Sequence, residues 1–202
     1  RFWDRIAARY ARSPVRNMPA FEDTLQRTLA HLSENHRVLE LGCGTGTTAI
    51  ILSGHVAQLT ASDISGNMIN IAKDRARVAN KANLSFLHAG VEDLPPGEGG
   101  FDVVLAFNLL HLMADPTATI RQVHQMLRPG GLFISKTACM AGMGRIAHGF
   151  FSLLAGLNLL PQIKPLQPTE LEDALIGEFY EILELDTYPE KIPRRFIVAR
   201  RI

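Results

Sequence analysis

The apolar run Val38-Leu39-Glu40-Leu41 ends abruptly at Gly42-Cys43-Gly44-Thr45-Gly46, and helical spacing begins at once, from Thr47 to Leu52. A short apolar run cut off by glycines reads as a buried strand, and alternating glycines read as a turn whose backbone a ligand can approach closely. The helix that follows directs its unbonded N–H groups and the positive end of its dipole at that turn, an arrangement that attracts a carboxylate or a phosphate. The stretch is a strand-turn-helix unit with a ligand loop at its corner.

A dinucleotide fold spells its loop G-x-G-x-x-G, the third glycine packing helix on strand, whereas this chain has G-x-G-x-G preceded by Glu40. A carboxylate beside the loop disfavours a pyrophosphate. It suits a ligand that carries an ammonium group as well as a carboxylate, as the end of an amino acid does. A second strand, Gln58 to Asp63, also closes on an acid. An acidic side chain at the carboxyl end of the strand after a glycine loop can accept both hydroxyls of a ribose, which points to a nucleoside. The competing role for Asp63, capping a helix from Gly66 to Asn80, falls equally well to Ser65.

Glu40-Leu41-Gly42-Cys43-Gly44-Thr45-Gly46 resembles the first motif of the class I S-adenosylmethionine (SAM) dependent methyltransferases, and Ser62-Asp63-Ile64-Ser65 with Met68 resembles their second. Ala89 to Pro95, Phe101 to Asn108 and Leu127-Arg128-Pro129-Gly130-Gly131 are similar to the later motifs, in the same order. The nearest type is that of the small ubiquinone and menaquinone biosynthesis methyltransferases. The resemblance implies an α/β, Rossmann-like, seven-stranded and mostly parallel sheet with an antiparallel C-terminal hairpin and helices on both faces. It also implies SAM as cofactor and S-adenosylhomocysteine as product. The residues that match the family pattern are Glu40, Gly42, Cys43, Gly44 and Thr47 at the loop, Asp63 at the ribose and Ile64 and Met68 beside the adenine. Val91 and Glu92 follow near the adenine amino group, Phe107 and Asn108 at the methionine end, and Tyr10 in an N-terminal cover. Relatives commonly carry an acid where this chain has Gly90, so that contact falls here to backbone atoms or to Glu92. Read as bare residues, Ile64 and Met68 fit a core equally well.

The remaining elements follow from spacing and punctuation. Phe2, Ile6 and Arg9-Tyr10 share one face of a first helix, and Asn17-Met18-Pro19 opens a second that carries Phe21, Leu25, Leu29 and Leu32. Leu84 to Ala89 and Phe101 to Phe107 are strands, the latter broken at Asn108. Asp115-Pro116 caps a helix over Thr117 to Leu127, Gly130-Gly131 turns it into a strand from Leu132 to Thr137, and Thr169 opens a helix closed by Gly177. Glu178 to Tyr188 and Lys191 to Arg201 alternate as a hairpin around Pro189. One domain, 1–202, divides into a helical cap over 1–35, a cofactor-binding core over 36–137, an apolar lid or insertion over 138–168 and a closing helix and hairpin over 169–202.

Hydrophobic residues at 47% and charged residues at 20% describe a folded domain with a sizeable core and exclude a disordered chain. A net charge of +1 gives no ground for nucleic-acid binding, and Arg194, Arg195, Arg200 and Arg201 read as a solvated strand edge. Cys43 and Cys139 lie far apart with no metal-ligand spacing, so no metal is expected, and free thiols in a reducing, cytoplasmic setting are. No leader-like segment is read. The stretch from Ile146 to Leu160 is apolar nearly all round a helix, yet at 15 residues it falls short of the ~20 that span a bilayer. It reads as a lid over an apolar acceptor or a dimer contact, with core packing and weak membrane-surface contact as its other uses. Monomer and homodimer both stay open.

Methyl transfer from a sulfonium needs positioning and exclusion of water more than covalent help, which agrees with the lack of a nucleophile or paired-carboxylate motif. A quinone-like, aromatic or lipid acceptor that must lose a proton calls for a base. His111, after the fourth strand, is the candidate because imidazole titrates near neutral pH, with a packing histidine as the alternative. Tyr10 and Asn108 are candidates for orienting the acceptor. Two other functions stay open: a SAM-binding regulator that transfers nothing, and a nicotinamide-dependent oxidoreductase that shares only the glycine-loop topology.

Overall fold

β1 (Arg37–Leu41) is buried over its last four residues, as its apolar spelling requires of a strand covered on both faces. Around it the computed structural model, which describes residues 2–15, 17–95, 100–140, 161, 163–188 and 192–202, builds a seven-stranded sheet. β2 (Gln58–Asp63) pairs with β1 in parallel on one side and with β3 (Leu84–His88) beyond it. β4 (Phe101–Phe107) pairs with β1 on the other side and carries β5 (Leu127–Ala138), also in parallel. β7 (Arg194–Arg201) runs antiparallel between β5 and the edge strand β6 (Tyr180–Tyr188). The order is β3-β2-β1-β4-β5-β7-β6, with the expected parallel body and antiparallel closing hairpin. Successive strands leave β1 in one direction and then, from β4, in the other. That switch leaves a crevice outside the carboxyl ends of β1 and β4.

Helices cover both faces. On one, α2 (Met18–Leu29), α3 (Thr47–Leu52) and α4 (Gly66–Val78) bury Leu25, Leu52 and Ile69 against Val103, Leu105, Ile134 and Phe196. On the other, α5 (Pro116–Met126) and α6 (Pro168–Gly177) bury Ile120, Val123, Leu171 and Leu175 against Val104, Phe133 and Ile197. α1 (Phe2–Arg12) lies along α4. The caps sit where sequence placed them: Asn17, Ser65 and Asp115 accept from the backbone N–H of Ala20 (3.1 Å), Met68 (3.2 Å) and Ala118 (3.1 Å).

Three local expectations are corrected. Gly130-Gly131 does not separate helix from strand: β5 begins at Leu127, which faces Phe101, and pairing resumes with Leu132 opposite Val103, so residues 128–131 bulge from a strand already begun. α6 starts at Pro168 rather than Thr169, because Glu170 reaches back to the N–H of Gln167 at 2.8 Å; it runs through Gly177, and the left-handed position after it falls to Phe179. The terminal arginines are not on an edge, since β7 is paired on both sides: Arg195 meets Glu172 at 2.7 Å, Arg200 meets Glu181 at 2.5 Å and Arg201 donates to the Leu127 carbonyl. The apolar stretch 146–160 and the hairpin turn at Pro189 lie outside the described residues. Among the described residues no helix is long and apolar enough to cross a membrane.

Candidate cofactor site

The glycine loop leaves β1 and is pinned at once to β2 by Cys43 N–H donating to the Ser62 carbonyl at 2.9 Å. Gly44 has φ +54°, and among the described residues a Cβ placed on it meets only the Tyr10 ring, 3.9 Å away, so the described backbone here borders open space roofed by an aromatic side chain. Gly46, at φ +77°, takes the packing role of a third glycine: a Cβ there lies 2.9 Å from the Ala72 Cβ and 3.2 Å from the Phe86 ring. Gly42 backs onto the Leu109 side chain, at 2.9 Å from an added Cβ, which brings the end of β4 beneath the loop. The hydroxyls of Thr45 and Thr47 face Arg75 of α4, at 2.8 and 3.4 Å.

Two acids flank this loop, each at or near the end of its strand. Asp63 accepts from the N–H of Gly44 (2.8 Å) with one oxygen and from that of Ser65 (2.9 Å) with the other. The carboxylate therefore clamps the loop to β2, a role the sequence reading missed, and burial raises its pKa even against those two donors. Glu40 is only 3% exposed, and its Oε2 has no hydrogen-bond partner among the described residues. Burial first, and then the nearby Asp63, push its pKa up to about 8. The expected negative charge beside the loop is thus a largely protonated carboxyl at neutral pH while no cation among the described residues faces it. A buried acceptor without a partner costs free energy that a matching donor restores. Cys43 contributes backbone alone, because its side chain is buried in the layer under α2 and α3, where burial keeps the thiol protonated.

Beyond Asp63 the residues expected beside the adenine separate. Ile64 is 46% exposed and stands against Gly90, whereas Met68 is 2% exposed and belongs to the core. Gly90 starts a 3-10 turn, Val91–Asp93, and its N–H donates to the Asp93 carboxylate at 3.2 Å. A Cβ on Gly90 lies 2.9 Å from Glu92 Oε2 and 3.2 Å from Asp93 Oδ2, so two carboxylates fold into the space that a side chain at position 90 takes. Glu92 was foreseen there; Asp93 was not. Val91 is buried, its carbonyl accepting from Gln122 at 2.6 Å.

At the other end of the crevice Phe107 closes β4, and Asn108 turns the chain in the left-handed region (φ +55°) while its N–H donates to the Lys136 carbonyl at 2.7 Å. His111 follows in a 3-10 turn, 8% exposed, with Nδ1 unpartnered among the described residues. Burial, then the positive field of Arg194, lower its pKa to about 4. The expectation that it titrates near neutral pH is corrected: the imidazole is neutral from mildly acidic pH upward. Ser135 Oγ and Thr137 Oγ1 of β5, which touches this turn, are also buried without described partners. They share the α5-facing side of the chain with Phe133 and Cys139, where Leu110 also packs. No motif marks them, since a hydroxyl in a buried strand spells like any threonine or serine.

Residues 38–131 match the family model described as a methyltransferase domain. The ubiquinone biosynthesis O-methyltransferase of Albidiferax ferrireducens is 30% identical over 145 residues, which cover 67% of this chain and 56% of that protein. The structure of geranyl diphosphate C-methyltransferase from Streptomyces coelicolor A3(2) superposes with a TM-score of 0.76 at 13% identity, covering 92% of this chain and 79% of that one. That of the [4+2]-cyclase SpnF gives a TM-score of 0.73 at 20% identity, with 89% and 81% covered. The chain spans about half the length of the curated relatives it matches. Sheet order and these likenesses converge on one assignment: the chain has a Rossmann-like methyltransferase fold, and its residues 38–131 match the model of a methyltransferase domain.

Proposed function

We propose that the chain binds SAM in the crevice beside the glycine loop and moves its methyl group to a small apolar or aromatic acceptor, releasing S-adenosylhomocysteine. The observation that carries the reading is the pair of strand-end acids, an unpartnered and buried Glu40 oxygen on β1 and the Asp63 carboxylate on β2, set on either side of a loop open at Gly44. An α-ammonium supplies the donor that Glu40 lacks, and in giving up its proton to solvent Glu40 becomes the counter-charge. Asp63 offers its carboxylate to a ribose diol while still holding the Gly44 N–H. Glu92 accepts from the adenine amino group in the place of a side chain at Gly90, and Ile64 covers one face of the ring. Gly42 and Gly44, with the backbone of Cys43, Phe107 and Asn108, line the amino-acid end, and Tyr10 closes over it.

When bound, the cofactor supplies an electrophilic methyl on a sulfonium; the protein's part is to place the acceptor in line, about 3 Å away, and to keep water out. Neutral His111 offers Nδ1 as a hydrogen-bond acceptor, and the Thr137 hydroxyl lies on the same side of β5. Together they orient an acceptor O–H or N–H, and His111 takes its proton as the methyl is transferred. With so low a pKa it orients more than it activates, which suits an acceptor that is already acidic, such as a phenol or enol.

The fold alone does not decide transfer, because the [4+2]-cyclase SpnF shares it; a SAM-binding protein without transferase activity is the second reading. Titration calorimetry with SAM, S-adenosylhomocysteine and NAD, followed by a labelled-methyl screen over quinols, phenols, amines and lipid head groups, tests both. Micromolar binding of the adenosyl ligands, lost on Asp63→Ala, together with label transfer is the expected result. Binding without transfer to any acceptor favours the second reading, and NAD binding without SAM binding rejects the proposal.

A further inference from the structure

α1 is fastened across the glycine loop at both ends, and Asp4 and Arg75, which make the two fastenings, lie outside every motif. At its first turn, Asp4 Oδ1 accepts from the Ser65 hydroxyl at 2.7 Å and from the Asn67 N–H at 3.3 Å, while the Asp4 carbonyl accepts from Asn67 Nδ2 at 3.1 Å. The Ser65 hydroxyl caps α4, and the Ser65 N–H donates to Asp63, so this fastening stands two residues from the strand-end acid. At the last turn, the Ala11 carbonyl accepts from Arg75 Nη2 at 2.6 Å. The other terminal nitrogen of the same guanidinium reaches the Thr45 hydroxyl at 2.8 Å and the Thr45 carbonyl at 3.4 Å. Between the two fastenings Tyr10 stands over Gly44.

We propose that Arg75 and Asp4 are positioning residues for cofactor binding: they hold α1 over the glycine loop and couple its closure to the shape of the loop. The proposal rests on the reading that this crevice takes SAM. Arg75 suits the task because a planar guanidinium bonds in two directions at once, here to a carbonyl of α1 and to the loop, whereas an ammonium is a single point. Asp4 suits its own, because its carboxylate lies at the N-terminus of a 13-residue helix, where both the free N–H groups and the helix dipole favour an anion. With these hydrogen bonds made, α1 lies over the loop, and a ligand beneath Tyr10 leaves only after one fastening opens. The two fastenings load on different parts of the ligand. Asp4 acts through Ser65 and Asp63 on the nucleoside side, and Arg75 acts through Thr45 on the amino-acid side.

Stopped-flow displacement of S-adenosylhomocysteine and amide hydrogen exchange over residues 2–12 test the proposal on the full chain. Arg75→Gln and Asp4→Asn each speed ligand dissociation by about tenfold, Arg75→Lys retains part of the wild-type residence time, and exchange in α1 accelerates in the ligand-free Gln and Asn variants while exchange in β1 and β4 is unchanged. Arg75 and Asp4 variants that release the ligand at the wild-type rate overturn it, as does unchanged exchange in α1. If Arg75→Gln fails to fold, Asp4→Asn, at a residue outside the buried core, carries the same test. A wild-type chain that does not bind the adenosyl ligand refutes the proposed function, and the exchange comparison then still decides whether α1 is fastened by these residues.

Discussion

Glu40 sits in β1 with a carboxyl oxygen that no described residue satisfies, and its raised pKa has consequences in both directions. A carboxyl whose folded-state value stands near 8, above the ordinary 4.5, favours folding most below that ordinary value and loses the contribution as pH rises through the folded one. Glu40→Gln should therefore raise the melting temperature at pH 8 and leave it nearly unchanged at pH 5. The same variant should weaken SAM binding, since an amide cannot become the counter-charge of an ammonium. In the wild type, SAM affinity should rise close to tenfold between pH 6 and 7 with release of about one proton, and both the slope and the proton release should fall off as pH approaches 8, measurable by calorimetry in buffers of different ionisation enthalpy. Asn108 makes a different kind of residue-scale prediction. At φ +55° a β-branched side chain is strained, so Asn108→Val should cost about 1–2 kcal/mol in urea denaturation and Asn108→Gly much less.

At the scale of elements, α2 is fixed to the closing hairpin by charge as well as by apolar packing. Arg27 donates through Nε to Glu184 and through Nη1 to Asp186, each at 2.6 Å, and its guanidinium lies 4.7 Å from the Phe196 ring centre. The hydrogen bond from Arg27 is the main cause that lowers the Asp186 pKa, so this contribution is present at neutral pH and fades as pH falls through the carboxylate range. Arg27→Ala should cost about 2 kcal/mol at pH 7, and less at pH 3, in urea titrations followed by circular dichroism. These contacts join residues 157 and 159 apart. Spacing arguments reach a few turns of helix or one hairpin, so the helix itself was legible and its partner was not. The same limit explains why the terminal arginines read as an edge: alternation marks a strand, but only the pairing on both sides of β7 shows that it is interior.

For the whole molecule, ligand binding and stability are one equilibrium. A ligand at a hundred times its Kd adds about 2.7 kcal/mol to unfolding, which for a domain of this size is a rise in melting temperature of about 5–10 °C. Thermal denaturation with S-adenosylhomocysteine should show that rise and NAD should not. Asp63→Ala should abolish it, because the substitution removes the proposed ribose contact and also frees the Gly44 N–H that shapes the loop.

Local spelling determined the strand, turn and helix at Val38 to Leu52, the caps at Asn17, Ser65 and Asp115, and the order of elements, because each depends on neighbours a few residues away. It also singled out Glu40 and Asp63, since an acid at or beside a strand's end is a local pattern. Their protonation was beyond it: whether Glu40 bears a charge depends on solvent exclusion by the whole fold and on Asp63 from another strand. Only tertiary structure set the Tyr10 ring over Gly44, folded Asp93 beside Glu92 into the space at Gly90, and ran Arg75 from the glycine loop to the end of α1. Those are contacts between segments distant along the chain, and what brings them together is the burial of two apolar layers on one twisted sheet.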